Sequence, residues 1–155
     1  MTNRQLDRWE RMFSFVPSMS AVDRRVAEDD IVFETFRAGG VVYRQGARCD
    51  RYIMCTSGSV RSSRVPTRGD GVQLYALSPG EGCPLTAQSL LSGEVLMADG
   101  RASERTNVAS LSAPVFAHLM STSEPFRSFV LEGYLALLPR ISNVVGAHVQ
   151  RLQRA

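Results

Sequence analysis

The chain contains no lysine, and all 18 of its basic residues are arginines. It also has only one tryptophan, two histidines and three cysteines. Each scarcity removes a class of protein. No apolar run approaches the length of a membrane span, and no basic-then-apolar leader opens the chain. Both absences predict a soluble, cytoplasmic protein with no membrane partner. Cys49, Cys55 and Cys83 are odd in number and form no Cys-x-x-Cys, which fits reduced thiols better than a disulfide framework. His118 and His148 are isolated, with no His-x-His pair, so no metal site is expected. No Ser-His-Asp or Cys-His pairing stands in a recognisable context, and no phosphate loop occurs. The reading is therefore not an enzyme, with no catalytic residues. The formal charge is +3 without any basic run, too weak for this chain to bind nucleic acid by itself.

What is present suits one globular unit. The 155 residues are 44% apolar and 21% charged, enough to bury a core. Leu6, Trp9, Met12 and Phe13 fall at helical spacing and predict a helix over 3–13, ended by Pro17. Ser20 is an N-cap for a helix over 21–30, with Val22, Val26 and Ala27 facing inward. From Ile31 the period shortens to about two. Strands are predicted around Ile31–Phe36, 41–43, 52–55, 58–60 and 72–77, then near 94–98 and 105–111. Gly39-Gly40, Gly46, Gly58 and Arg68-Gly-Asp-Gly71 sit between them as turns. The last of these reads as a hairpin turn rather than an adhesion motif. Ser112 and Ser123 each cap a helix with proline in its first turn. Many short strands cut by glycines predict a mostly β fold with flanking helices, a double-stranded β-helix or jelly roll.

The last helix, about 124 to 152, carries Tyr134, Leu138, Ile141, Val145, His148 and Leu152. Their alternating spacing of four and three is a heptad seam, which predicts a parallel homodimer. Phe126, Phe129 and Val130 supply a separate patch that faces the barrel. Pro139 lies inside the helix and is expected to kink it.

The run Phe36-Arg-Ala-Gly39, Gly46, Tyr52-Ile53, Ser57-Gly58-Ser-Val60 and Leu77-Ser-Pro-Gly-Glu81 resembles the cyclic-nucleotide-binding superfamily. Gly82-Cys-Pro-Leu-Thr86, with Leu90-Leu91, Phe116-Ala-His-Leu-Met120 and Pro125-Phe-Arg-Ser-Phe-Val130, is similar to Crp/Fnr-type transcription regulators. The resemblance implies a β-roll sensor with N-terminal helices over 1–122 and a dimerisation helix over 123–155. It also implies a winged helix-turn-helix that is absent from this chain, so DNA would be met only through that missing domain. The chain is then either a fragment or a sensor and dimerisation module alone. In the second case it could form a heterodimer with a full-length regulator.

The same resemblance places a ligand pocket at Gly80, Glu81, Gly82, Cys83, Pro84, Leu85, Thr86, Leu96 and Arg101. Relatives that bind cyclic nucleotides carry Phe-Gly-Glu in the segment that follows the Pro-Gly turn. Here those positions hold Cys83, Pro84 and Leu85, and the phosphate-binding arginine falls at Leu96. A phosphate buried without a cation is costly, so the pocket is expected to be degenerate and no cofactor is predicted. Arg101 could replace the missing arginine under a shifted alignment, and the lesser alternative is then a true cyclic-nucleotide-binding domain. A haem could draw axial ligands from Cys83, His118 or His148, though His118 between Phe116 and Leu119 reads as structural. No cysteine cluster suited to an iron–sulfur centre precedes Cys49. Cys83 could sense oxidants if exposed, but reads as an inert buried thiol.

Overall fold

The computed structural model describes residues 3–64 and 71–154, and their side chains except at 3, 140–149, 151 and 154. Three helices open the chain: α1 (Asn3–Met12), α2 (Phe15–Ser18) and α3 (Ala21–Asp30). Five strands follow: β1 (Val32–Phe36), β2 (Val41–Tyr43), β3 (Arg51–Ser57), β4 (Val60–Arg64) and β5 (Val72–Leu77). After α4 (Pro84–Ser92) come β6 (Asp99–Ala102), β7 (Thr106–Ser112), α5 (Ala113–Thr122) and the long α6 (Glu124–Arg154). The strands form two antiparallel sheets, ordered β1-β7-β3 and β2-β6-β4-β5. This is the expected mostly β roll with flanking helices.

Sheet β1-β7-β3 has a core on each face, which explains why β3 reads as an unbroken buried run. Tyr52 and Met54 point to a helix-side core with Trp9, Phe13, Phe15, Phe116 and Phe126. Ile53 and Cys55 point the other way, into the roll, with Val60, Leu77, Leu85, Leu96 and Val108. The helix-side core is largely aromatic. Phe15 meets Phe126 edge to face with centroids 5.2 Å apart, and the Trp9 indole N–H donates to the Met54 sulfur at 3.4 Å.

The predicted caps form. Ser20 and Ser112 hydroxyls accept from Asp23 and Val115 N–H, and Ser123 accepts from Phe126 N–H. Several boundaries move. Pro17 lies within the short helix α2 instead of ending the first helix, and α6 continues through Pro139. Val22 does not face inward and is 72% exposed. The inward position goes to Asp23, whose carboxylate accepts from the Thr122 hydroxyl at 2.9 Å. Residues 58–59 form a turn, and β4 starts at Val60. No strand forms over 94–98. Leu96 instead exchanges two backbone bonds with the Gly46–Ala47 turn, and the strand begins at Asp99. The Arg68–Gly71 turn falls on residues 68–70, outside the described residues, between the paired strands β4 and β5.

Candidate functional site

The segment after the Pro79-Gly80 turn lies along the free edge of β3. Gly80 N–H donates to Cys55 O at 2.9 Å, Cys55 N–H to Glu81 O at 3.0 Å and Cys83 N–H to Ile53 O at 2.7 Å. The Glu81 carboxylate is engaged locally and accepts from Ser78 N–H at 2.7 Å. Only glycine fits at 82, because a Cβ there would run into the Tyr52 hydroxyl and come within 2.9 Å of Phe129 Cε1.

Helix α4 begins at this point, although no period in the sequence announced it. Its signals were Pro84 in the first turn and Gly93 just past the end, at φ 77°. A helix N-terminus can cradle a phosphate when its N–H groups are free. Here two of them, on Thr86 and Ala87, are engaged within the turn itself. Pro84 has no N–H. Thr86 N–H donates to Cys83 Sγ at 3.5 Å, and Ala87 N–H to Cys83 O at 3.1 Å. The Thr86 hydroxyl donates to Cys83 O at 3.1 Å and accepts from Ile53 N–H at 3.3 Å.

Two residues that the sequence reading passed over occupy the roll interior. The buried hydroxyls of Tyr43 and Ser62 are hydrogen-bonded to each other, and the Cys83 S–H donates to the Tyr43 oxygen at 3.5 Å. The Tyr43 ring lies flat against Gly100, where any Cβ would collide with it. Burial pushes the Tyr43 hydroxyl pKa well above the ordinary tyrosine value, so the group stays neutral and satisfied within the core. Leu85, Leu96 and Leu137 of α6 belong to the same buried core. No local signal in the sequence marked Tyr43, because the glycine that faces it lies far along the chain. Tyr43 pairs with Gly100 in the β2–β6 register.

The structure thus gathers Cys83, Leu85, Thr86 and Leu96 around the roll interior and leaves Arg101 out. Arg101 stands on the exposed face of β6, directly opposite Arg61, and donates to Gly39 O at 3.3 Å. The haem-ligand candidates do not converge either. Cys83 is fully buried in the roll, whereas His118 is exposed on α5, 3.8 Å from the Asp23 carboxylate. The His148 side chain lies outside the described residues. Among those residues no three His, Cys, Asp or Glu side chains group as metal ligands. Desolvation pushes the Cys49 and Cys55 thiols up to about 11, so both remain protonated near neutrality.

On α6, Phe126, Val130 and Leu137 are buried against the body. Leu131, Leu135 and Leu138 are 42%, 60% and 47% exposed. Of the predicted seam, Tyr134 is half-buried, Leu138 and Leu152 are exposed, and the side chains of Ile141, Val145 and His148 lie outside the described residues.

The profile of the cyclic nucleotide-binding domain matches residues 33–123, more than half of the chain. The chain belongs to the cyclic nucleotide-binding domain family. Solved structures share its fold over more than four fifths of its length. A Eubacterium rectale protein assigned to the Crp/Fnr family of transcriptional regulators superposes with a TM-score of 0.80 at 16% identity, covering 88% of this chain and 63% of its own. The regulatory domain of Toxoplasma gondii PKA, crystallised with cAMP, gives 0.68 at 20% identity over 81% of this chain and 47% of its own. A double mutant of CooA from Carboxydothermus hydrogenoformans gives 0.69 at 14% identity over 88% and 87%. At such identities the likeness is one of fold, and the chain spans less than two thirds of the first two. No curated protein matches the sequence. Among the described residues no helix is long and apolar enough to cross a membrane.

Proposed function

We propose that this cyclic nucleotide-binding domain is the effector-sensing and dimerisation part of a Crp/Fnr-like transcription regulator, with its roll interior closed to cyclic nucleotides. The observation that carries this reading is Tyr43. Its ring fills the interior, and its hydroxyl is held by Ser62 and Cys83. A nucleotide would have to displace that ring and then place its phosphate beside Leu85 and Leu96, with no fully buried cation among the described residues and with the Thr86 and Ala87 N–H groups already engaged. Leaving a phosphate uncompensated in such a place is strongly unfavourable.

Dimerisation is supported by the exposed leucine row Leu131, Leu135 and Leu138, whose steps of four and three suit a parallel two-helix seam. A regulator built this way acts by changing how two such helices meet, not by chemistry.

Calorimetric titration of the purified chain with cyclic AMP and cyclic GMP tests the closed interior. The expected result is no saturable heat up to about 1 mM ligand, an affinity weaker than about 4 kcal/mol. Micromolar binding of either nucleotide would refute it.

A further inference from the structure

We propose that the cleft at the open end of the roll binds a small amphipathic monocarboxylate, with its carboxylate on the Arg44, Arg48 and Arg51 rim and its apolar body on the floor below. The inference rests on the reading above that the roll interior itself is closed. The cleft is bordered by Tyr43 and Leu96 and has a volume of about 280 Å³, near the lower end of small-molecule sites.

Its floor is apolar, made by Phe36, Ile53, Leu96 and Val108. The polar groups at its back are already occupied. The Cys49 S–H donates to Arg51 O at 3.2 Å and sits 3.7 Å from Thr86 O, and the Thr86 hydroxyl donates to Cys83 O. A sugar or polyol would therefore leave the hydroxyls that face the floor unpaired, each buried at a cost. A hydrocarbon or aromatic body meets no such penalty.

The rim supplies the charge. Arg51 is fixed, its Nε donating to Ser110 Oγ at 2.6 Å and a terminal nitrogen to Ser110 O at 3.0 Å. Arg44 and Arg48 are exposed, and the only ion pairs among the described residues lie elsewhere, at Arg25–Asp29 and His118–Asp23. Glu34 and Asp50 share the rim. Three guanidiniums against two carboxylates favour one negative charge and oppose a second. Guanidinium pairs hold a carboxylate in a forked geometry. The class that fits is a monoanion with a compact apolar body.

The test titrates the full chain with 3-phenylpropionate, octanoate and indole-3-acetate, with 3-phenylpropionamide as the uncharged control and phenylsuccinate as the dianion. The expected result is saturable binding of at least one monocarboxylate, with the amide and the dianion weaker by about ten-fold or more. The double variant Arg44→Gln/Arg48→Gln, changed at two exposed positions, should weaken that carboxylate by a similar factor while its Trp9 emission stays native. Silence of all three monocarboxylates, equal binding of the amide, or an unchanged double variant would overturn the proposal. Cyclic AMP runs in the same series. Its binding would refute the closed interior, whereas carboxylate silence together with nucleotide silence would refute only the cleft.

Discussion

Replacing Gly100 by alanine should destabilise the protein only while Tyr43 is present. Gly100 has an ordinary β conformation, so alanine brings no backbone strain, and a strand residue other than glycine should gain about 0.5–1 kcal/mol. The obstacle is the Tyr43 ring. Three of its carbons lie where the new methyl must go, the most distant of them Cε2 at 2.7 Å. The ring cannot retreat freely, because its hydroxyl is tied to Ser62 and Cys83 and it belongs to the buried core shared with Leu85 and Leu96. Overpacking of this kind costs about 1–3 kcal/mol, which outweighs the strand gain. Tyr43→Ala alone leaves a cavity and should cost about 3–5 kcal/mol. In that cavity the Gly100→Ala methyl has room, so its effect should turn neutral or favourable. The double-mutant cycle should then show a coupling of about 1.5–3 kcal/mol, within the range of residues in direct contact. Urea unfolding at one fixed protein concentration gives all four corners, followed by emission of Trp9, the only tryptophan and fully buried. Effects that add to within about 0.5 kcal/mol would refute the claim that the ring blocks this position and fills the roll.

Three shorter expectations follow from other contacts. Cys83→Ser should change stability by less than about 1 kcal/mol, because a hydroxyl can still cap α4 and meet Tyr43, whereas Cys83→Val should cost about 1–2 kcal/mol by orphaning Thr86 N–H; equal loss in both would refute the capping role. The buried thiols predict alkaline instability. Cys49 and Cys55 titrate near 11 when folded against about 9 when unfolded, both chiefly through desolvation. The unfolded chain releases these protons first, so stability should hold below about pH 8 and fall as pH rises from about 9 through 11; a urea midpoint that rises over that range would count against it. Leu135→Asp with Leu138→Asp should convert a dimer to a folded monomer in light scattering with unchanged circular dichroism; an unchanged mass would remove the seam.

The roll was legible because its strands carry period-two patterns and its turns carry glycines, and the serine caps located α3, α5 and α6 to within a residue or so. The misses have identifiable causes. Residues 94–98 look like a strand because Val95, Leu96, Met97 and Ala98 are apolar, but Leu96 bonds to a turn and its side chain plugs the roll. Helix α4 lacks an amphipathic pattern because its first turn is buried almost all round. Asp23 took an inward position that Val22 seemed to claim because Thr122 gave it a partner. That Cys83, Pro84, Leu85 and Leu96 stand where cyclic-nucleotide binders carry polar anchors is an expectation from the family resemblance alone. The role of Tyr43 was not legible, since nothing local says that its ring crosses the roll to Ser62 and Cys83, which are distant in sequence.

A ligand in the cleft would have a short physical route to the dimer helix. Thr86 is both a cleft wall and part of the first turn of α4, and α4 packs directly on α6. Leu85, next to Thr86, shares the roll core with Leu137 of α6, and Leu137 precedes Leu138 of the exposed row. The same turn of α6 therefore presents one leucine to the sensor core and the next to the proposed partner helix. Proximity alone does not couple them. A ligand shifts an equilibrium only by its differential affinity for the two arrangements, and coupling must be reciprocal. If 3-phenylpropionate binds the dimer ten-fold better than the monomer, it must strengthen dimerisation by about 1.4 kcal/mol for each occupied cleft. Sedimentation equilibrium with and without saturating carboxylate measures that shift. Leu137→Ala, which loosens the contact between core and helix while sparing the cleft rim, should reduce the coupling more than it reduces carboxylate affinity. Equal losses in both would mean that Leu137 supports the cleft and carries no signal to the helix.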